Sequence, residues 1–416
     1  MGIHNLDQLH LTVDSYVKNV PIVDMHTHLY PENFTGLLLW GVDELLNYHY
    51  LIAETLRYTN LSYEAFWSMS KMEQAELAWK TLFLEHSPIS EACRGVLTVL
   101  KRLGLDVTKR NLHEYRSFFT QFSTHQYMDL VFQTAGVESA VMTNDPFDDL
   151  ERNYWEQGLS VDPHLKAALR IDVLLNSWDQ AYPKLKDMGY KVESVLSKST
   201  IQEVNRFLQD WIAKIHPLYL AVSLSYDFNY PEDTIRNQLI EKCILPVCRV
   251  HQMPFALMIG VKRQADPELK SAGDSVGKAD IRVVETLCNK YPNNKFMVTM
   301  LSRENQHELC VTARKFRNLL IFGCWWFLNN PSLIEEITRM RMELLGLSMV
   351  PQHSDARVLD QLIYKWEHSR KVIGKVLFEK YKDLLDAGWE VTDAEIKRDV
   401  EMLFGGNFKE FLAFQL

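Results

Sequence analysis

The chain has 416 residues, of which 47% are hydrophobic and 24% charged, enough apolar material for a large core and a globular fold throughout. Its formal net charge of −9 argues against a nucleic-acid partner, because a phosphate backbone demands a basic face. The same balance does not exclude a small anionic substrate, which one or two placed arginines can hold locally.

Residues 1–19 are mixed polar and carry no apolar core of the signal-peptide kind. No window reaches the roughly 18 uninterrupted apolar residues of a membrane span. The six cysteines, Cys93, Cys243, Cys248, Cys288, Cys310 and Cys324, show no Cys-x-x-Cys spacing. The expectation is a cytoplasmic protein with reduced thiols and no membrane partner. Homo-oligomerisation is left open.

In chain order, short apolar runs predict strands at Ile22–His26, Ser139–Thr143, Ala167–Ile171, Tyr219–Leu224, Pro254–Ile259, Lys295–Thr299, Asn318–Gly323 and Ser348–Gln352. Several end in polar or charged residues: Asn144, Asp145, Arg170, Asp172, Lys262, Ser302, Arg303 and Asp355. Continuous apolar strands alternating with helical stretches mean a parallel sheet buried on both faces. Eight of them point to an α/β fold, a closed (β/α)8 barrel with its chemistry at the C-terminal strand ends. An open doubly wound sheet is the competing architecture.

Residues 27–138, between the first run and the second, far exceed the about 20 to 30 residues of a usual connection. Within them, Val42–Leu56 has helical spacing, Ser62–Lys80 opens on a capping serine, and Ser90–Leu103 ends at Gly104. The division read from this is residues 1–30 as N-terminal segment and first strand, 31–136 as a helical cap insertion, and 137–416 as the rest of the barrel. An insertion after the first strand emerges at the catalytic mouth and so covers it. Further helices are expected at Val358–Lys382 and Thr392–Leu403.

The first run ends in Asp24-Met25-His26-Thr27-His28. Residues i and i+2 of a strand share a face, so His26 and His28 can grip one cation. The last run is followed by His353-Ser354-Asp355-Ala356-Arg357. In a closed barrel the first and last strands are neighbours. Two imidazoles and the Asp355 carboxylate then form a three-ligand site with a position left open.

Asp24-Met25-His26-Thr27-His28 with Ser354-Asp355 resembles the amidohydrolase superfamily. Over residues 20–405 the chain resembles the uronate isomerase family within it, through Val23–Leu29, Asp43-Glu44-Leu45-Leu46, Tyr48-His49-Tyr50, Ala168-Leu169-Arg170, Gly323-Cys324-Trp325-Trp326-Phe327 and His353–Arg357. The resemblance implies interconversion of a hexuronate and its keto form, glucuronate with fructuronate or galacturonate with tagaturonate. It implies one divalent cation, expected to be zinc, on His26, His28 and Asp355. The usual hydrolase pattern of the superfamily is broken: the fifth and sixth runs lack histidine and the fourth lacks lysine. A mononuclear hydrolase or decarboxylase, or a non-catalytic sugar-acid-binding barrel, are the alternatives.

Aldose–ketose exchange through a cis-enediolate needs a base at C2, an acid for the oxygens and positive charge on the enediolate. Asp355 is the expected base, with His26 beside it, either loosening from the cation or acting through a bound hydroxide. Arg357 is expected to stabilise the enediolate oxygens, sharing the face of Asp355 if the strand continues. Arg170 reads as a bidentate clamp for the substrate carboxylate, or as a structural partner of Asp172 or Asp145. The family pattern makes Tyr50 a proton donor to the sugar. Trp325 and Trp326 are expected to contact substrate, at most one of them facing the pocket unless the strand end curls. Met258 completes the substrate-facing set, and His49 and His353 read as supporting residues.

Overall fold

The computed structural model describes residues 2–416. Its sheet is built from apolar runs that are largely buried on both sides, Ile22–Thr27 and Phe296–Met300 at every position. Seven strands pair in parallel and in chain order: Ile22–Thr27, Val137–Asn144, Leu165–Arg170, Leu220–Ser225, Phe255–Lys262, Phe296–Met300 and Leu319–Ile321. A short antiparallel segment, Ser275–Val276, returns against the end of the fifth strand.

The eighth run closes the sheet into a (β/α)8 barrel, though not as the regular strand expected at Ser348–Gln352. It forms a single bridge, Phe322 with Val350. Pro351 has no N–H to give a ladder, and the side-chain oxygen of Gln352 accepts from Cys324 N at 2.7 Å in its place. On the other side, Asp355 N donates to His26 O at 3.2 Å and His28 N to Ala356 O at 2.8 Å. Those two bonds join the end of the chain's last run to its first strand. Asp24, fully buried, reinforces the seam by accepting from Ser354 N at 3.1 Å and Trp366 Nε1 at 2.8 Å.

Between the first and second strands the chain is helical, and the expected helices are present in shorter pieces. Val42–Leu56 breaks into Val42–Leu46 and His49–Tyr58 at an extended Tyr48. Ser62–Lys80 divides because it holds two start signals: Ser62 caps Tyr63–Ser68, and Ser70 forms a capping box with Glu73 over Lys71–Trp79. Ser90 and Gly104 bound Glu91–Arg102 as expected, with Gly104 at φ +83°. The insertion is fastened to the start of the helix Gln361–Asp386, after the eighth run, by Asp360, whose carboxylate accepts from Gly41 N at 2.8 Å and from the Tyr127 hydroxyl. Among the described residues, no helix is long and apolar enough to cross a membrane.

Candidate active site

At the C-terminal mouth of the barrel, His26, His28 and Asp355 each offer an atom within 4.8 Å of the others. Asp355 Oδ1 lies 3.3 Å from His28 Nε2 and 3.7 Å from His26 Nε2. Two hydroxyls explain why both Nε2 atoms point inward. Tyr219 spends its proton on Met25 O at 2.6 Å, so its oxygen accepts from His26 Nδ1 at 3.3 Å. Thr143 spends its proton on Thr27 O at 2.9 Å and accepts from His28 Nδ1 at 2.9 Å. Each imidazole is thereby held in the tautomer whose Nε2 carries a free lone pair.

Burial pushes the His26 imidazole down to about 3 and that of His28 well below its ordinary range, with the neighbouring arginines adding to the effect. Both rings are therefore neutral, which is the ligating form. His26 Nε2 and Asp355 Oδ1 are buried without any hydrogen-bond partner. Two imidazole nitrogens and a carboxylate oxygen, converging and otherwise unsatisfied, fit a divalent cation. The Asp355 backbone is left-handed at φ +54°, a conformation unusual for a residue bearing a Cβ. Strand geometry therefore does not persist to Arg357, so the shared face that a continuing strand would give is lost, yet Arg357 still lines the mouth.

The mouth is lined by His26, His28, Asp355, Arg357, Arg170, Trp325 and Trp326, and also by His49, Ser223 and Arg263. Both tryptophans are present because Trp326 turns left-handed at φ +49° and escapes strand alternation. Trp326 Nε1 donates to His49 Nε2 at 3.1 Å, so His49 is a wall of the cavity rather than a support behind it. His353 does stand behind, its ring 5.2 Å from that of His26. Gly323, at φ +63°, makes room for it: a Cβ there would meet His353 Nδ1 at 1.7 Å. Tyr50 sits beside the mouth, its ring 4.6 Å from His49 and 6.0 Å from Phe327. Met258 is buried inside the fifth strand and is not among the residues lining the cavity.

Arg170 is paired with Asp172, Nη2 to Oδ2 at 2.6 Å, and still lines the cavity. Its structural and binding readings are thus compatible. Arg263 and Ser223 were not singled out in the sequence. The polar residue assigned to the end of the fifth strand was Lys262. However, Gly260, at φ +127°, is skipped in the pairing of Ser225 with Val261, which flips the side-chain alternation beyond it. Lys262 is left exposed, and Arg263 enters the mouth. A glycine near the end of an apolar strand is the one signal that would have warned of this.

A larger cavity, about 760 Å³, lies among the outer helices beside His10, Arg370 and Phe378. Among the described residues it holds no cluster of metal-ligating side chains.

The fold and the donor set define an amidohydrolase-type barrel. No protein-family model and no curated relative matches the chain. Among solved structures, it is similar to a uronate isomerase from Bacillus halodurans C-125, with 56% identity, 99% of this chain and 97% of that one covered, and a TM-score of 0.97. The chain belongs to the uronate isomerase family. Two more distant structures share the fold. A uronate isomerase from Thermotoga maritima has 16% identity, 97% of each chain covered and a TM-score of 0.77. A glucuronate isomerase from Caulobacter crescentus has 14% identity, 98% and 94% covered, and a TM-score of 0.79.

Proposed function

We propose that the protein interconverts a hexuronate and its 2-keto isomer, glucuronate with fructuronate or galacturonate with tagaturonate, by proton transfer through a cis-enediolate. The observation that carries this reading is the meeting of His26, His28 and Asp355 with three arginines in one barrel mouth. His26, His28 and Asp355 would hold the cation, and their mixed nitrogen and oxygen donors suit zinc. When bound, the cation supplies Lewis-acid polarisation of the sugar oxygens next to the reacting carbons.

Asp355 has two unequal oxygens. Oδ1 faces the imidazoles and is sealed from solvent, whereas Oδ2 makes no hydrogen bond and is not sealed in the same way. We assign Oδ2 the removal of the C2 proton and, after exchange with solvent, the delivery of a proton to C1. Arg357 forms no ion pair among the described residues, so its charge is free for the enediolate oxygens. Burial holds the Tyr50 phenol well above its ordinary range. It therefore stays protonated and is suited to donate to the sugar. Arg170 receives the substrate carboxylate. The six cysteines are all buried and unpaired, and a cytoplasmic location is part of the same proposal.

A single experiment tests the reaction. The protein is incubated with glucuronate or galacturonate in deuterated water and the product is read by NMR. A keto-uronate with its ketone at C2 and deuterium at C1 is expected. A keto acid without label would replace proton transfer by a hydride shift, and absence of any keto acid would overturn the assignment. A hydrolase reading would need an activated water and a leaving-group acid, and strands five and six bring no histidine to the mouth.

A further inference from the structure

We infer that Arg263 is a specificity-determining residue that, together with Arg170, receives the far carboxylate of the sugar acid, and that Asp274 positions it. The inference rests on the uronate reading above and gives a role to a residue to which that reading assigns none. It begins from the barrel's own order. The cation ligands sit on the first strand and the eighth run, and in a ring of eight the arc opposite them is strands three to five. That arc presents Arg170, Ser223 and Arg263 to the cavity. A uronic acid carries its reacting carbon and its carboxylate at opposite ends of a six-carbon chain. With the reacting end at the cation ligands, the acid end points toward this arc.

The two arginines are built alike. Arg170 donates to Asp172, whose other oxygen accepts from Ser223 N at 2.8 Å. Arg263 Nη1 donates to Asp274 Oδ2 at 2.5 Å, and the other oxygen of Asp274 accepts from Gln264 N at 2.9 Å. In each case one carboxylate, itself fastened to backbone, holds one edge of a guanidinium and leaves other N–H groups for a ligand. The two units flank Ser223. Arg263 also lies over the Trp326 ring, 5.9 Å from its centroid, which keeps the head group across the mouth.

Charge shows why one arginine would not serve. Arg170 faces Asp172 and Asp145, both of which favour its charged form. An incoming carboxylate would therefore meet two acids and a single cation there. Arg263 adds a second cation on the same arc. Its side chain is 55% exposed, but its loop is not free. Tyr63 of the cap donates to Asp266 at 3.2 Å, and Trp67 Nε1 donates to Glu268 O at 2.8 Å. The cap thus holds the loop that carries the arginine.

The test compares wild type with Arg263→Ala, Arg263→Lys and Asp274→Asn, using steady-state kinetics on the preferred uronate and calorimetric binding of glucarate and glucitol. Arg263→Ala should raise KM about 10- to 100-fold, the worth of a charge-assisted hydrogen bond, while kcat falls much less. Arg263→Lys should recover part of that loss, since it restores charge without the fork. Asp274→Asn should raise KM by a smaller factor and leave kcat nearly unchanged. Glucarate binding should weaken in Arg263→Ala, and glucitol binding should not. A KM within twofold of wild type in Arg263→Ala, or a loss confined to kcat, would overturn the inference. If wild type isomerises no uronate, the functional reading fails. Glucarate binding then still decides the present point: equal affinity in wild type and Arg263→Ala would end it, and a selective loss would sustain it.

Discussion

The two sides of the barrel mouth are held by different means. On the arc of the first strand and eighth run, His26, His28 and Asp355 are locked by backbone bonds across the seam and by hydroxyls whose protons are already committed to carbonyls. On the opposite arc, Arg170 and Arg263 are held by side-chain carboxylates, and Arg263 is half exposed. The first arrangement cannot shift by an ångström without breaking the barrel closure. The second can adjust side chain by side chain. Under the proposed function, the chemistry would be rigidly preorganised and recognition of the acid end left adaptable.

The largest effect should come from breaking the rigid arc at its reacting group. Asp355→Asn keeps the shape but removes both the charge and the base, and kcat should drop by about 10³-fold or more. A rate within a few-fold of wild type would put the base elsewhere. Next is the orientation of the imidazoles. Thr143→Val removes the acceptor of His28 Nδ1 while leaving the ligand itself, and should weaken cation affinity about 10- to 100-fold, measured by competition with a chromogenic chelator. Unchanged affinity would mean that His28 is oriented by packing alone. On the adaptable arc, Arg170→Ala should raise KM for the uronate about 10-fold or more and leave glucitol binding alone. An equal loss for both ligands would deny it the clamp role.

How far the site could be read from the sequence follows the same division. His26, His28 and Asp355 were legible because a strand fixes the faces of i and i+2, and because a closed barrel makes its ends adjacent. The helices between the first and second strands were legible from Ser62, Ser90 and Gly104, which carry their own capping signals. What escaped depends on single backbone angles. The turn of Trp326 to positive φ, the bulge at Gly260 and the left-handed Asp355 each redirect a side chain, and none alters composition or hydrophobic period. The eighth run was placed correctly but its form was not, since Pro351 and Gln352 replace a ladder by one bridge and a side-chain bond. Those exceptions fall at the mouth, where local regularity gives way to the geometry of the site.

The proposed chemistry requires one cation shared by the two ends of the barrel sheet. Anomalous diffraction from crystals of the active protein, collected on either side of the metal's absorption edge, tests it most directly. The expected result is a single peak about 2 Å from His26 Nε2, His28 Nε2 and Asp355 Oδ1. A peak held by other residues, or full activity in protein with no peak at this position, would contradict it.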